Sequence, residues 1–381
     1  MKSLSFFASL AAFVADVFRV VALPSGLTST DQSITSSCQC TAGNIPVALD
    51  VDLPLDPTDD PINSTNTRNL RATFGIHTIF CQPPHTATRS SQDHVQLLLH
   101  GSTYTSQYWT WPFNGFQNYS YVAHACAEGH ITVAYDALGV GLSDRPSNSA
   151  DIQLPSAAAI AAFFSHHLKS GELTTSLGLP TQRFKRVIAI GHSQGSVVYN
   201  YASIFQGSKT PFDALILTGH LHDPGFLEST KFGRPAARDV DPGRWANLDP
   251  GYISSSNRTQ YYPPDNSTFS ADIVKLDQLT KDVSTVYYTD AAFAVYVPAK
   301  GFKGPVVQLV GSEDQVHCLN GGDGFVSCNA KVLQASEEAF WPDSKNFTMV
   351  VRQGQGHDVN LDFGAAETFS LLTELVEQFT H

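Results

Sequence analysis

The sequence predicts an α/β fold, with a mostly parallel central sheet, helices on both faces and a lid segment inserted between the sixth and seventh strands. Three observations predict it. Six short apolar runs each end at a turn: HVQLLLHG (94–101), ITVAYD (131–136), RVIAIG (186–191), DALILTG (213–219), PVVQLVG (305–311) and FTMVVRQG (347–354). Strands buried on both faces of a parallel sheet read this way. Helix-like stretches separate the runs, the alternation that builds βαβ units. One interval, 220–304, breaks the alternation and is rich in Pro, Tyr, Asp and Ser.

The elements follow in chain order. Lys2 precedes an apolar run from Leu4 to Val14, and Val20 and Ala22 offer small residues at positions −3 and −1 of a cleavage site. This is the layout of a secretory signal peptide over 1–22. Asp16 and Arg19 interrupt the run, so it is too short to span a bilayer. Residues 23–69 form a lead-in and an edge strand. The part from 23 to 45 is rich in Ser, Thr and Gly and predicts no regular element, whereas IPVALDVDL (45–53) alternates as an edge strand does. DPTDDPINSTNT is a polar loop, and LRATFGIHTIFC (70–81) is a second strand, antiparallel to the first. The core runs over 70–219, is interrupted by the lid at 220–304, and resumes over 305–381. Helices are expected at 154–169, 196–205 and 367–379, with a further helical stretch over 270–288 inside the lid.

Composition narrows the partners. The chain is 42% hydrophobic and 15% charged, which suits a globular protein. A net charge of −12 excludes a nucleic-acid partner, which needs a basic face. No later segment reaches transmembrane length, so no membrane partner is expected, and the oligomeric state stays open. Asn-x-Ser/Thr sequons at Asn63, Asn118, Asn257, Asn266 and Asn346 fit export and glycosylation. So does an even number of cysteines, Cys38, Cys40, Cys81, Cys126, Cys318 and Cys328. Cys318 and Cys328 flank a glycine-rich loop and are expected to pair. Cys38 or Cys40 is expected to pair with Cys81. A zinc site is not expected, because Cys38-Gln39-Cys40 lacks the two-residue gap of a zinc knuckle.

Within VIAIGHSQGSVVYNYA (187–202), Ser193 stands between Gly191 and Gly195, after an apolar strand and before a helix. G-x-S-x-G in that context is a nucleophile elbow: the turn exposes Oγ, and side chains at the glycines would collide with neighbouring backbone. A serine hydroxyl is a poor nucleophile at neutral pH, so it needs a base and the base an orienting carboxylate. The expected chain order is Ser, acid, His. His357, in RQGQGHDVN, follows the last strand and is the expected base. Asp314, in QLVGSEDQVH, is the expected acid, with Glu313 and Asp223 as alternatives. His192 is expected to be structural. The oxyanion donors are expected to be the backbone amides of Gln194 and of Ser102, the latter in the turn after LLLHG. His100, Tyr104, Trp109 and His220 are expected to border the substrate.

Taken together, HGS … YDALGVGLSDRP … GHSQG … GSEDQVH … GQGHD resembles the α/β-hydrolase superfamily from about residue 70 to the end, and within it the secreted, glycosylated serine hydrolases of filamentous fungi. The resemblance implies an α/β-hydrolase fold in which Asp136, Gly139, Gly141 and Ser143 serve turn geometry. After His100-Gly101 this chain has Ser-Thr-Tyr, not the further glycines of a lipase-type oxyanion loop. Serine at the elbow, rather than Asp, implies acyl transfer to water with no metal or organic cofactor and a small-molecule substrate. Aromatic residues after the oxyanion turn and in the lid suit an aromatic or polyketide-like ester or lactone. A biosynthetic hydrolase or cyclase acting on a lactone or thioester, a lidded aminopeptidase-like hydrolase, and a catalytically inert binding protein are the competing readings.

Overall fold

The computed structural model describes residues 38–56, 59–84, 93–222, 234–318 and 328–380. The expected signal peptide, the alternative acid Asp223 and the glycine-rich loop between Cys318 and Cys328 lie outside them.

Eight strands form one sheet in the order β1-β2-β4-β3-β5-β6-β9-β10. They are β1 (Gln39–Pro54), β2 (Thr67–Gln82), β3 (His94–Leu99), β4 (Thr132–Tyr135), β5 (Arg186–His192), β6 (Ala214–Thr218), β9 (Val306–Gly311) and β10 (Phe347–Arg352). β1 and β2 form a long antiparallel ribbon, and β2 meets β4 antiparallel only from Thr78 to Cys81. Every other pairing is parallel. Among the described residues β1 has a neighbour on one side only, which leaves its outer edge open. The ribbon begins earlier than the sequence suggests. Residues 39–44, expected in the lead-in, are strand, because Cys38 and Cys40 are tied to Cys126 and Cys81 and Gln39 pairs with Gln82.

Why the parallel runs are apolar throughout is visible in their packing. Leu97, Leu99, Val187, Ala189, Leu215 and Leu217 face one core. The alternate residues Leu98, Ile188, Ile190, Ala214 and Ile216 face the other. Each of these Val, Leu and Ile side chains contributes on the order of 1.5–3 kcal/mol by leaving water. Helices α2 (Leu154–Ser170) and α3 (Gln194–Gln206) cover the first face, while α1 (Tyr121–Ala127) and α6 (Ala365–Thr380) cover the second. Local chemistry sets the ends of α2. Gln153 and Ser156 form a capping box, Pro155 sits in the first turn, and Gly171 stops the helix at φ 83°.

Between β6 and β9 the chain leaves the sheet. It forms the small pair β7 (Tyr252–Ile253) and β8 (Ser284–Thr285) and the helix α4 (Ala271–Thr280). The helix is shorter than the expected 270–288. After Thr280 the backbone turns to make other bonds, the Asp282 amide donating to the Thr103 carbonyl and the Ser254 hydroxyl to the Asp282 carbonyl. A last helix, α5 (Ala330–Glu337), precedes β10. Among the described residues, no helix is long and apolar enough to cross a membrane.

Three disulfides are present: Cys38–Cys126, Cys40–Cys81 and Cys318–Cys328. The first ties the start of the ribbon to α1, and the second links β1 to β2 at paired positions within the ribbon. Cys40–Cys81 spans 41 residues of chain. In the chain-entropy account, replacing both residues with serine should therefore cost about 4 kcal/mol of stability, read as a lower urea midpoint.

Candidate active site

The carboxyl ends of neighbouring parallel strands collect the candidate residues on one edge of the sheet, where open α/β sheets bind ligands. In the sheet's middle, Gly191 pairs with Leu99 on one side and Leu217 on the other. Two residues later Ser193 sits at φ 50°, ψ −114°, outside the regions side chains ordinarily occupy, and α3 begins at once. Close packing enforces the turn. A Cβ on Gly191 would lie 2.5 Å from the Ser196 nitrogen, and one on Gly195 2.4 Å from the Leu99 carbonyl. The Ser193 amide donates to the Thr218 carbonyl at 2.8 Å, and the residue stays half-buried.

His357 follows β10. Its Nδ1 lies 2.9 Å from Asp314 Oδ2, both residues being buried. An ionised carboxylate only accepts, so Nδ1 carries the proton and Nε2 is left as the acceptor. Asp314 is fixed in turn by the amides of Val316 and His317, which donate to Oδ1 at 2.8 and 3.2 Å. The imidazole lies beside the elbow. Its ring centroid is 5.1 Å from that of His192, and its Cε1 would stand 3.1 Å from a Cβ on Gly219.

The electrostatics follow from these contacts. Burial alone would raise the Asp314 carboxyl. The charge and hydrogen bond of His357, with His317 and the Val316 amide, overrule it and hold the carboxyl down at about 2. Burial alone would lower His357, but the Asp314 charge and hydrogen bond raise it above an ordinary histidine. Asp314, His317 and His357 could offer metal-ligand atoms within 4.8 Å of one another. Both Asp314 oxygens are already spent on protein donors, which suits an orienting acid better than a ligand.

The other sequence-derived candidates sort themselves by contact. Glu313 points elsewhere, accepting from the Ser312 hydroxyl. His192 is fully buried and stacks on Tyr108 at 4.2 Å. Its Nδ1 meets Thr218 Oγ1 and its Nε2 meets Asp358 Oδ1, each at 3.1 Å. Burial, then the charge of His357, keep it neutral. Gly101 lies against the elbow, since its Cβ would come within 3.2 Å of Ser193 Cβ. The amides of Ser102 and Thr103 have no protein acceptor among the described residues, and Gln194 opens α3, where an amide has no intrahelical partner.

A narrow cleft abuts the elbow. Its walls include His100, Gly101, Gln194 and Gly195 from the core and Tyr252, Val283 and Tyr288 from the inserted segment. Its solvent-sized space is about 20 Å³, room for little more than one water. Of the four residues expected around the substrate, only His100 lines it. There Nε2 accepts from the Ala137 amide at 3.0 Å and Nδ1 donates to the Gly101 carbonyl at 2.8 Å, tying the turn after β3 to the loop after β4. The remaining three lie away from the cleft wall. Trp109 is a core residue, 0% exposed and packed edge-on against Tyr108 and Tyr121. His220 is buried beside Asn200, which also reaches His222. Tyr104 is buried with its hydroxyl on Asp358 and Asp277. Sequence reasoning did not anticipate roles for Asp277 and Arg258, which carry no motif, or for Asp358, which ends the GQGHD stretch and meets Tyr104 across 254 residues.

Comparison with known proteins agrees with this architecture. A family model described as "Alpha/beta hydrolase family" matches residues 96–370. Among curated proteins no sequence matches. Similar solved structures include a soluble variant of monoglyceride lipase from Saccharomyces cerevisiae, 13% identical over 81% of this chain and 92% of that one, with a TM-score of 0.53. A thermophilic esterase from Thermogutta terrifontis and an epoxide hydrolase from Vigna radiata are each 14% identical over 88% of this chain and 98% of theirs, with TM-scores of 0.49. At 13% identity the likeness to the lipase structure speaks to the fold alone.

A base must be neutral to accept a proton, so activity should rise with pH through a midpoint above the ordinary histidine value of about 6.5. Asp314→Asn removes the charge that raises His357 and leaves burial to lower it. The acid limb of kcat/KM should then move to lower pH while the rate falls by roughly 10⁴-fold. A limb that stays in place would show that Asp314 does not set the imidazole.

Proposed function

The chain belongs to the alpha/beta hydrolase family, and from that premise we propose that it is a secreted serine hydrolase cleaving a carboxylic ester or lactone through an acyl-enzyme. The observation that carries the reading is the buried Asp314–His357 hydrogen bond set beside a serine held at φ 50°. In this reading His357 Nε2 takes the Ser193 proton as Oγ attacks the carbonyl carbon. The resulting oxyanion receives the amides of Gln194 and Ser102. Collapse of the tetrahedral intermediate expels the alcohol, which takes the proton from His357. Water, deprotonated by the same imidazole, then releases the acid and restores Ser193.

The cleft favours an acyl group of modest size. Leu138, Val140, Ile152, Ile160 and Val198 supply apolar walls, and Tyr252 and Tyr288 close them from the inserted segment. The Tyr252 hydroxyl is spent on the Pro146 carbonyl, so that ring offers the substrate its face rather than its polar tip. No carboxylate lines the cleft among the described residues, and a free α-amino group would need one. This argues for an ester or lactone over an aminopeptidase substrate. Export is supported by the three disulfides, which suit an oxidising compartment, and by the exposure of all five sequon asparagines.

A fluorophosphonate should label Ser193 covalently, and Ser193→Ala should abolish both labelling and ester hydrolysis. An unlabelled Ser193 in folded protein would leave a binding protein on this fold. Among p-nitrophenyl esters, lactones, thioesters and aminoacyl anilides, short esters or lactones should turn over fastest. Hydrolysis of anilides alone would overturn the substrate class, and ring closure of a lactone or thioester precursor would identify a cyclase.

A further inference from the structure

Thr103 follows the proposed oxyanion donor directly and sits at φ 62°, a left-handed conformation disfavoured for a β-branched residue. Two bonds from the inserted segment hold it there. The Asp282 amide donates to the Thr103 carbonyl at 2.8 Å, and Arg258 Nη1 donates to Thr103 Oγ1 at 2.6 Å. The Thr103 hydroxyl donates in turn to the Ser102 carbonyl at 2.6 Å, so the guanidinium reaches the Ser102–Thr103 peptide, one residue on from the Ser102 amide, through one side chain.

Arg258 is itself held rigidly. It is 0% exposed, its Nε donates to Asp277 Oδ1 at 3.0 Å, and its guanidinium lies 3.8 Å above the Tyr104 ring. Tyr262 donates to Asp277 Oδ2 at 3.1 Å. The Tyr104 hydroxyl lies at the same distance from that oxygen and 2.5 Å from Asp358 Oδ2, and Asp358 meets His192, the residue before the nucleophile. A fully buried cation is expensive unless paired and bonded. Here Nε and Nη1 are each hydrogen-bonded, Nη2 lies 2.9 Å from Asp277 Oδ1 as an ion-pair contact, and the Nη1 arm ends on the turn after β3. Arg258 would not touch the substrate, because it does not line the cleft.

We infer that Arg258 is a positioning residue, which acts through Thr103 to hold the Ser102 amide where a developing oxyanion would need it. The inference rests on the proposed serine-hydrolase reading. It assigns to the inserted segment a share in the chemical step as well as in shaping the cleft. Small displacements of an oriented group cost about 100-fold in rate, and loss of one oxyanion donor costs about 100- to 1000-fold.

The test uses the mature protein, a fluorophosphonate and p-nitrophenyl acetate. Arg258→Met alone would strand Asp277 as a buried unpaired charge, so it is combined with Asp277→Asn. The pair should slow phosphonylation of Ser193 and lower kcat by about 10- to 100-fold, with KM changed no more than a few-fold. Thr103→Val, which leaves Arg258 and Asp277 in place, should produce a similar loss. Combining all three should cost little beyond the worse of the two, because they act through one contact. A wild-type phosphonylation rate in the Arg258→Met/Asp277→Asn protein, or losses that multiply when combined, would overturn the inference. Should that protein fail to fold, Thr103→Val decides alone, and a wild-type rate there overturns the inference equally. Absence of any label on wild-type Ser193 would instead sink the hydrolase reading.

Discussion

The site depends on one backbone constraint: Ser193 is held in a conformation that side chains avoid. Strain of this kind costs about 1–3 kcal/mol and persists only where the surroundings permit nothing else. Here the surroundings are specific. Gly191 and Gly195 let α3 press against β3 and its own turn, and Gly101 lets the oxyanion turn come up to the serine. Because the elbow occupies the middle of the sheet, strands on either side bring their loops to it. The turn after β3 arrives from one flank, and the Asp314 and His357 loops from the other.

Those loops are not left to find their places by packing alone. The His357 amide donates to the Tyr261 carbonyl at 2.8 Å, and Ser284 Oγ donates to the Gln194 side chain at 2.9 Å. With Arg258 and Asp282 on Thr103, the segment between β6 and β9 bonds to His357, to Gln194 and to the turn after β3. Gly356 makes the first contact possible, since a Cβ there would lie 2.7 Å from the Tyr261 carbonyl. The cleft is correspondingly tight, and water-excluding walls strengthen every interaction aimed at a developing charge.

Much of this could be read from residue patterns because the signals are local. The parallel strands announce themselves as apolar runs, and the start of α3 is fixed by the glycines around Ser193. The pairing of His357 with Asp314 follows from chain order after successive strands. The pocket aromatics were less legible, because an aromatic residue beside a turn can pack the core or face a ligand with the same neighbours in sequence. Trp109 illustrates the point: the core claims it fully. The Arg258–Asp277–Tyr104–Asp358 network was illegible for a different reason. Its members are separated by up to 254 residues, and no local pattern joins them. The six residues of β1 before Ile45 were missed because Gln39, Thr41, Gly43 and Asn44 mask a strand that disulfides and ladder pairing impose.

The open outer edge of β1 carries a consequence for how molecules of this protein meet one another. Among the described residues no strand pairs with the outer side of this sixteen-residue strand, on which a strand of a second molecule could add. Pro46 supplies no N–H to such an addition, and Asp50 and Asp52 are exposed near its end. A proline and charged side chains along an edge make it a poorer template for a second molecule's strand.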